Sequence, residues 1–128
     1  MSSALCIAVV DDEAPVRTAL RRLLRLADYE VVGFESGEAF LTSLATRVPA
    51  CAVLDVHMPG LSGFDVHLRL RAAHGDVPVV FITASDDPTL DQIARERHGS
   101  TLLRKPFSRK ELLDAVSSAL SSKSSDTS

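Results

Sequence analysis

The sequence predicts a single α/β domain, a doubly wound parallel sheet with helices on both faces. Five short apolar runs alternate with longer segments whose apolar residues recur at helical spacing. The connections between them are short, and strict strand–helix alternation of this kind is typical of parallel sheets. The length of 128 residues also suits one compact domain.

The predicted strands are the five apolar runs themselves. The first run is apolar at every position, which is typical of a strand buried on both faces of a parallel sheet. Pro78 lies near the start of the fourth run, where a strand tolerates proline. The runs cover residues 5–10, 30–34, 51–54, 77–82 and 101–103.

Apolar stripes and starting residues predict the first two helices. Pro15 lies in the first turn of the first helix, where proline is tolerated. Ser36-Gly37 opens the second helix. The inward residues are expected to be Val16, Ala19, Leu20, Leu23, Leu24 and Ala27 in the first helix, and Ala39, Phe40, Leu41 and Leu44 in the second.

The third helix is predicted to begin at Ser62 and to end at Gly75. Residues 62–65 resemble a capping box in which Asp65 replaces the usual Glu or Gln. Gly75 can close the last turn because glycine adopts positive φ without strain. The inward residues are expected to be Phe64, Leu68 and Ala72.

The last two helices have clear starting signals. Asp87-Pro88 is a cap followed by a proline in the first turn, and His98-Gly99 is expected to end that fourth helix. Residues 108–111 form a full capping box for the fifth. The polar segment 121–128 is expected to be a disordered end or the stub of a linker, which leaves residues 1–120 as the folded domain.

Composition argues against several function classes. The net charge of −3 gives no overall attraction to nucleic acid or anionic membranes. No apolar run approaches the length of a membrane span, and the N-terminus does not resemble a signal peptide, so a cytoplasmic protein is expected. Cys6 and Cys51 lack metal-binding spacing and are interpreted as small buried thiols.

Polar residues gather where the predicted strands end. Asp11 and Asp12 follow the first strand, and Asp55 follows the third. In the flavodoxin-like strand order 2-1-3-4-5, adopted here by analogy, the first and third strands are neighbours. The three carboxylates would then repel one another, and a bound Mg²⁺ ion would relieve this repulsion.

Two more residues lie at the same predicted edge. Thr83 follows the fourth strand, and its hydroxyl can bond a phosphoryl oxygen. Lys105 follows the fifth strand and supplies a flexible positive charge. Each residue alone would be read as a cap or loop residue, so the hypothesis of a phosphoryl site rests on all of them together.

The motifs together resemble the receiver domain of two-component response regulators. They are "AVVDDE", "VLDVHMPGLSGFDV", "VVFITA" and "LLRKPF", and the resemblance extends over about residues 5–120 in matching order and spacing. Motif sets of this kind are far more specific than any single motif.

This resemblance implies a role for each residue at the edge. Asp55 would accept a phosphoryl group from a phosphohistidine of a sensor kinase. Asp12 and the backbone carbonyl of His57 would bind Mg²⁺ with Asp55, while Asp11 completes the acidic pocket. Thr83 and Lys105 would contact the phosphoryl group. The domain would switch conformation and assist its own dephosphorylation.

The resemblance also implies a cis peptide bond between Lys105 and Pro106, which would aim the lysine into the pocket. A bond before proline adopts the cis form at low energetic cost.

Two positions are unusual for this family. The family often carries Tyr or Phe three residues before the lysine, as a ring that swings inward on phosphorylation, and here that residue is Leu102. The aromatic switch is therefore absent. The side chain of His57 borders the site, and the sequence leaves open whether it affects hydrolysis or only its backbone carbonyl matters.

Two other functions fit the sequence less well. A phosphatase of the haloacid dehalogenase type would carry its nucleophile after the first strand, with a second Asp two residues later. Here Asp11 is followed by Asp12 and Glu13, so this alternative is disfavoured. A degenerate receiver that acts without phosphorylation is also disfavoured. All five positions of the site carry the side chains that phosphorylation requires, namely Asp11, Asp12, Asp55, Thr83 and Lys105.

The surface offers two candidate docking regions. On the first helix, the basic residues are either a solvated face or part of a docking surface for the kinase or a phosphotransfer protein. The fourth helix, fifth strand and fifth helix form the surface through which the family dimerises or contacts an output module. The basic residues are Arg17, Arg21, Arg22 and Arg25 in the first region, and Arg95, Arg97, Arg104, Arg109 and Lys110 in the second.

Overall fold

The computed structural model describes residues 4–97 and 100–126, and five strands alternate with five helices in that part of the chain. The strands are β1 (Cys6–Val10), β2 (Glu30–Phe34), β3 (Cys51–Asp55), β4 (Val79–Thr83) and β5 (Thr101–Arg104). The helices are α1 (Ala14–Leu26), α2 (Gly37–Ser43), α3 (Gly63–His74), α4 (Thr89–Glu96) and α5 (Arg109–Asp126).

All five strands are parallel and lie in the order β2-β1-β3-β4-β5. The predicted fold class and strand order are thereby confirmed. Because successive side chains of a strand point to opposite faces, the sheet has two separate cores. Helices α2, α3 and α4 pack on the face that carries Ala8 and Leu54. Helices α1 and α5 pack on the face that carries Val9 and Val53.

The predicted thiol environment is confirmed. Cys6 and Cys51 are free and buried, at the amino ends of β1 and β3. Burial disfavours a charged thiolate, and it raises the pKa of Cys51 to about 12. Such a thiol stays protonated and behaves as a small apolar side chain.

The inward face of α3 differs from the prediction. Phe64 is half-buried and packs edge-on against Phe81, with ring centroids 4.7 Å apart. Leu68 is 49% exposed and Ala72 is exposed, so these two expectations were wrong. The buried residues of α3 are Gly63, Val66, His67 and Leu70.

Helix α2 packs closely against the buried stripe of α3. Gly37 of α2 faces Val66 so closely that a Cβ atom on Gly37 would lie 2.4 Å from the Val66 side chain. The absence of a side chain at Gly37 therefore leaves room for Val66 in the core. Ala39 on α2, which was expected to point inward, is exposed.

The helix ends agree with most of the predicted caps. Ser62 and Asp65 form both hydrogen bonds of a capping box, and Gly75 ends α3 at a φ of 72°. At α4, Pro88 is the N-cap rather than a first-turn residue, although Asp87 accepts a bond from the backbone N–H of Thr89 at 2.9 Å. The expected end of that helix at His98-Gly99 lies outside the described residues.

Helix α5 is longer than expected. It continues to Asp126, so residues 121–126, predicted to be irregular, are helical in the structure. Serine-rich sequence is a modest helix former, and helical propensity is a weak guide where a strong preceding helix can propagate. None of the described helices is both long enough and apolar enough to cross a membrane.

Candidate functional site at the carboxyl ends of the strands

Three carboxylates lie together at the carboxyl edge of the sheet, as the strand order predicts. Asp11 and Asp12 follow β1, and Asp55 is the last residue of the neighbouring strand β3. One oxygen atom from each lies within 4.8 Å of the others. Asp11 is fully buried, Asp55 is 3% exposed and Asp12 is exposed. Such a cluster concentrates negative charge in a site that is buried at Asp11 and Asp55 and open to solvent at Asp12.

Local backbone contacts fix the position of Asp55. The N–H of His57 donates to Asp55 Oδ1 at 3.3 Å, and the N–H of Val56 donates to the carbonyl of Ile82 on β4 at 2.8 Å. Gly63, at the start of α3, approaches so closely that a Cβ atom there would lie 2.5 Å from the Asp55 carbonyl oxygen. The glycine in the capping sequence therefore lets α3 pack directly behind Asp55.

Asp11 is held from three directions. Its Oδ1 atom accepts a hydrogen bond from the N–H of Glu13 at 2.9 Å. Its own N–H donates to the carbonyl of Phe34 on β2 at 3.1 Å. Arg17 of α1 donates from Nη1 to the Asp11 carbonyl at 2.8 Å. Arg17, interpreted from the sequence as a solvated or docking residue, thus also supports the acidic site.

Lys105 is the cation of the site. Its Nζ atom lies 2.9 Å from Asp11 Oδ2, 3.3 Å from Glu13 Oε1 and 3.7 Å from Asp55 Oδ2. Its backbone N–H donates to the carbonyl of Thr83 at 2.7 Å, which ties the residue to the end of β4. The peptide bond to Pro106 is cis, as predicted.

Thr83 ends β4 and is completely buried. Its Oγ1 atom accepts a hydrogen bond from the N–H of Ser85 at 3.0 Å. In this arrangement the hydroxyl is engaged by the β4–α4 connection, while its own hydrogen remains available to donate elsewhere.

Burial and neighbouring charges have opposing effects on the pKa values of Asp55 and Lys105. Burial is the largest cause that raises the pKa of Asp55, and the negative charge of Asp11 raises it further. The charge of Lys105 and the hydrogen bond from His57 lower it only partly, so that the pKa is about 7. Burial alone would lower the pKa of Lys105, but its contacts with Asp11 and Asp55 outweigh burial and raise it. The lysine therefore stays charged, while the metal-free Asp55 is readily protonated near neutral pH.

The match to known proteins decides the family. The family model described as "Response regulator receiver domain" matches residues 7–117 of this chain. The chain belongs to the receiver domains of response regulators. Receiver domains are signalling modules of two-component systems, and the resemblance noted in the sequence is confirmed.

Named relatives place this receiver domain in context. It is 38% identical to "Nodulation protein W" of Bradyrhizobium diazoefficiens over 118 residues, which are 92% of this chain and 52% of that protein. It is 36% identical to "Transcriptional regulatory protein TdiR" of Thauera aromatica, again over 92% of this chain and 52% of the relative. The chain thus spans about half the length of these curated relatives.

A solved structure agrees with the fold. The structure of "Response Regulator StyR" superposes with a TM-score of 0.80 at 37% identity, and the alignment covers 97% of this chain and 63% of that one. The receiver fold therefore accounts for nearly all of the described residues.

The donors of this receiver domain fit a divalent metal ion. Hard cations such as Mg²⁺ prefer carboxylate and carbonyl oxygens, and the cluster offers Asp11, Asp12 and Asp55. The buried Oδ2 atom of Asp11 contacts Lys105 but has no well-directed hydrogen bond, so it has acceptor capacity to spare. Asp12 is exposed on the open side, where a partly hydrated ion could enter.

Two residues of interest lie outside this cluster. The side chain of His57 is exposed beside the site, although its N–H bonds Asp55. Leu102 is half-buried on β5 and packs against the core cluster that contains Phe81, its register partner on β4.

Sequence reasoning missed two charged residues near the site. Glu13 shares Lys105 with Asp11, and Arg104 binds the β4–α4 connection and Asp91 of α4. Each is adjacent in sequence to a predicted site residue, and this adjacency was the signal that could have identified them. Their partners are distant in sequence and could be found only in the fold.

Proposed function

We propose that Asp55 accepts a phosphoryl group from a phosphohistidine of a sensor histidine kinase, in a reaction that requires Mg²⁺. The observation that supports it most is the position of the Asp55 carboxylate, which lies 3.7 Å from the ammonium of Lys105 and within a cluster of carboxylates. A nucleophile that is fixed beside a cation and a metal site suits phosphoryl transfer, where positioning and charge neutralisation dominate catalysis.

The transfer step exchanges one bond to phosphorus for another. An oxygen of the Asp55 carboxylate forms the new P–O bond while the P–N bond to the donor imidazole breaks. The bonding electrons return to that imidazole nitrogen. Bound Mg²⁺, held by Asp12, Asp55 and the carbonyl of His57 with Asp11 nearby, would supply positive charge to the phosphoryl oxygens.

Protein side chains would then stabilise the phosphorylated state. Lys105 is already next to Asp55 and can move its ammonium from Asp11 to a phosphoryl oxygen. Thr83 ends the neighbouring strand, and its hydroxyl hydrogen can donate to another phosphoryl oxygen. The acyl phosphate would be hydrolysed later with assistance from the same site, so the domain is a signalling switch with limited self-directed catalysis.

The rest of the proposal concerns partners and location. A kinase or phosphotransfer protein would dock beside the site, and the face formed by α4, β5 and α5 would bind an output module or a second copy. The domain itself would not contact nucleic acid. Free, buried cysteines are typical of a reducing compartment and support a cytoplasmic location.

The test is intact-protein mass spectrometry after incubation with acetyl phosphate and Mg²⁺. We expect one added phosphoryl group on the wild-type chain and none on Asp55→Asn, because an amide is a poor nucleophile. Asp114→Asn, which changes an exposed acid on α5, is the matched control and should be labelled normally. Labelling of Asp55→Asn at the wild-type rate would show that the acceptor is another residue.

The same measurement separates the alternatives. A receiver gives a single phosphate that accumulates and then decays. A phosphatase would release inorganic phosphate continuously with little accumulation, and a degenerate receiver would remain unlabelled. Chelation of Mg²⁺ should abolish labelling, and labelling that persists in excess chelator would contradict the proposed metal requirement.

A further inference from the structure

Arg104, the last residue of β5, fastens the β4–α4 connection to the edge of the sheet. Its Nε atom donates to the carbonyl of Ser85 at 3.1 Å, and Nη2 donates to the carbonyl of Asp87 at 2.7 Å. The same guanidinium binds Asp91 in the first turn of α4 through two contacts, from Nη1 to Oδ1 at 3.1 Å and from Nη2 to Oδ2 at 2.9 Å. One side chain thus holds both the connection and the helix that follows it.

This arrangement uses the particular shape of arginine. The planar guanidinium presents several N–H donors in a fixed fork, which can bind a carboxylate with two contacts and still reach backbone carbonyls. A lysine ammonium at the same position could not make this set of directed bonds. The contact with Asp91 lowers the pKa of that carboxyl, so the acid is ionised at neutral pH.

The segment held by Arg104 is continuous with Thr83. The N–H of Ser85 donates to Thr83 Oγ1 at 3.0 Å, and the N–H of Asp87 donates to Ser85 Oγ at 3.1 Å. Thr83 and Arg104 are also register partners on adjacent strands. Arg104 therefore holds the carbonyl of the same residue whose N–H engages the Thr83 hydroxyl.

Helix α4 has few other anchors. Of its residues 89–96, all of which the structure describes, Leu90 and Ala94 are the buried ones. Pro88, its N-cap, provides no side-chain bond, and the cap comes instead from Asp87, whose Oδ1 atom accepts the first backbone N–H of the helix at 2.9 Å. The position of this short helix consequently depends on the contacts of Asp91 and of the preceding connection, which includes Asp87.

We propose that Arg104 is a positioning residue that stabilises the β4–α4 connection and α4 in the arrangement described here, and so opposes the turn of Thr83 toward a phosphoryl group. This inference rests on the proposed phosphoryl transfer to Asp55. In the phosphoryl-bound arrangement that we propose, Thr83 turns toward the phosphoryl group and gives up its bond from the N–H of Ser85, next to the carbonyl that Arg104 holds. That arrangement then competes with the one described here. Removal of the guanidinium then favours the phosphoryl-bound arrangement, because an equilibrium shifts by the difference in interaction energy between its two states.

The first test concerns the protein without any phosphoryl analogue. Amide hydrogen exchange at Ser85, Asp87 and Leu90 should be several-fold faster in Arg104→Gln than in the wild-type chain. Arg22→Gln is the matched control, because Arg22 is an exposed arginine on α1, which packs on the opposite face of the sheet. Unchanged exchange at these amides would overturn the proposal.

The second test measures the coupling to the site. Titration with beryllofluoride in the presence of Mg²⁺, followed by backbone amide shifts, should reach half-saturation at a concentration about twofold to fivefold lower in Arg104→Gln, a range that reflects the modest strength of partly exposed ion pairs. A merely structural defect would weaken binding or leave it unchanged. Half-saturation equal to or higher than that of the wild-type chain would therefore overturn the proposal.

A second variant distinguishes the proposed effect from a general loss of folding in Arg104→Gln. Asp91→Asn keeps Arg104 and removes only its ionic partner, so it should shift both measurements in the same direction by a smaller amount. Asp86→Asn changes an exposed acid of the same connection and serves as its control. If wild-type protein binds no beryllofluoride, the proposed phosphoryl site fails and the coupling fails with it, whereas hydrogen exchange still decides whether Arg104 positions α4.

Discussion

The two ends of β3 each bury one ionisable side chain, and the chemical outcomes differ. Cys51 at the amino end is completely buried, and its pKa is raised from 9.0 to about 12. Asp55 at the carboxyl end is almost as buried, and burial and the charge of Asp11 raise its pKa from 3.8 to about 7 against the opposing effects of Lys105 and the N–H of His57. The two rises are similar, so the outcomes differ because a carboxyl group has a much lower ordinary pKa than a thiol. Cys51 therefore stays protonated, whereas Asp55 can ionise near neutral pH.

The comparison also shows why the carboxyl ends of the strands are suited to chemistry. At that edge the chain leaves β1, β3 and β5 with polar residues, and the parallel arrangement brings Asp11, Asp55 and Lys105 together. At the amino end of β3, register pairs Cys51 with the apolar Ile7 of β1. The same strand therefore ends in an apolar core on one side and in a charged cluster on the other.

The largest expected effect concerns metal affinity at the carboxyl end. Asp12→Ala should lower the affinity for Mg²⁺ by at least about tenfold, since loss of a ligand weakens a metal site at least as much as loss of a supporting residue. The fold should persist because Asp12 is exposed. Metal titration followed by amide shifts is the measurement, with Asp114→Asn as control. Equal affinity in Asp12→Ala and wild type would remove Asp12 from the metal shell.

The pH dependence of stability provides the next test. The pKa of Asp55 is about 7 in the folded chain against 3.8 as its ordinary value, so between these values the folded state binds a proton that the unfolded state has lost. The free energy of unfolding should then fall as pH rises from about 4 to about 7, by roughly 2–4 kcal/mol from this residue in metal-free protein.

Urea unfolding at several pH values checks this dependence. Asp55→Asn should lack the Asp55 contribution and should be more stable than the wild-type chain at pH 8, and addition of Mg²⁺ to the wild type should restore part of the loss. Parallel pH profiles for the two proteins would show that Asp55 does not titrate in this range.

A smaller effect is expected at the amino end of β3. Cys51→Ser places a hydroxyl in a site with no exposure, where the thiol has only a 4.0 Å contact with the carbonyl of Ala52. The free energy of unfolding should fall by about 1–3 kcal/mol, the usual cost of a poorly bonded buried hydroxyl. Phosphorylation by acetyl phosphate should proceed at the wild-type rate. A folded Cys51→Ser variant that is no longer phosphorylated would show that the two ends of β3 are not independent.

The smallest effect is expected at Leu102. A leucine has no ring that moves between exposed and buried positions, and here it is packed half-buried against the core of the α4 face. Leu102→Tyr should change the balance of active and inactive forms without blocking phosphorylation. Amide shifts with and without beryllofluoride and Mg²⁺ in both proteins provide the test. A large movement of Leu102 from exposed to buried in the wild type would show that leucine itself acts as the switch.

The sequence by itself determined the alternation of strands and helices and the gathering of chemistry at one edge. Alternation is a local pattern, because a buried strand needs a continuous apolar run and a helix needs apolar residues at its own period. The placement of Asp11, Asp55 and Lys105 followed from the rule that parallel strands present their carboxyl ends on the same edge. The cis bond before Pro106 was anticipated from the resemblance to receiver domains.

Only the tertiary structure decided what depends on distant partners. Helix α3 carries two apolar stripes, and the fold buries the one with Val66, where Gly37 on α2 leaves room for that side chain. The pKa of Asp55 depends on burial and on Lys105, fifty residues away along the chain. Arg104 looked like one more surface arginine until the fold placed Ser85, Asp87 and Asp91 around it. A local pattern specifies an element, but the neighbours of a side chain are set by how the elements pack.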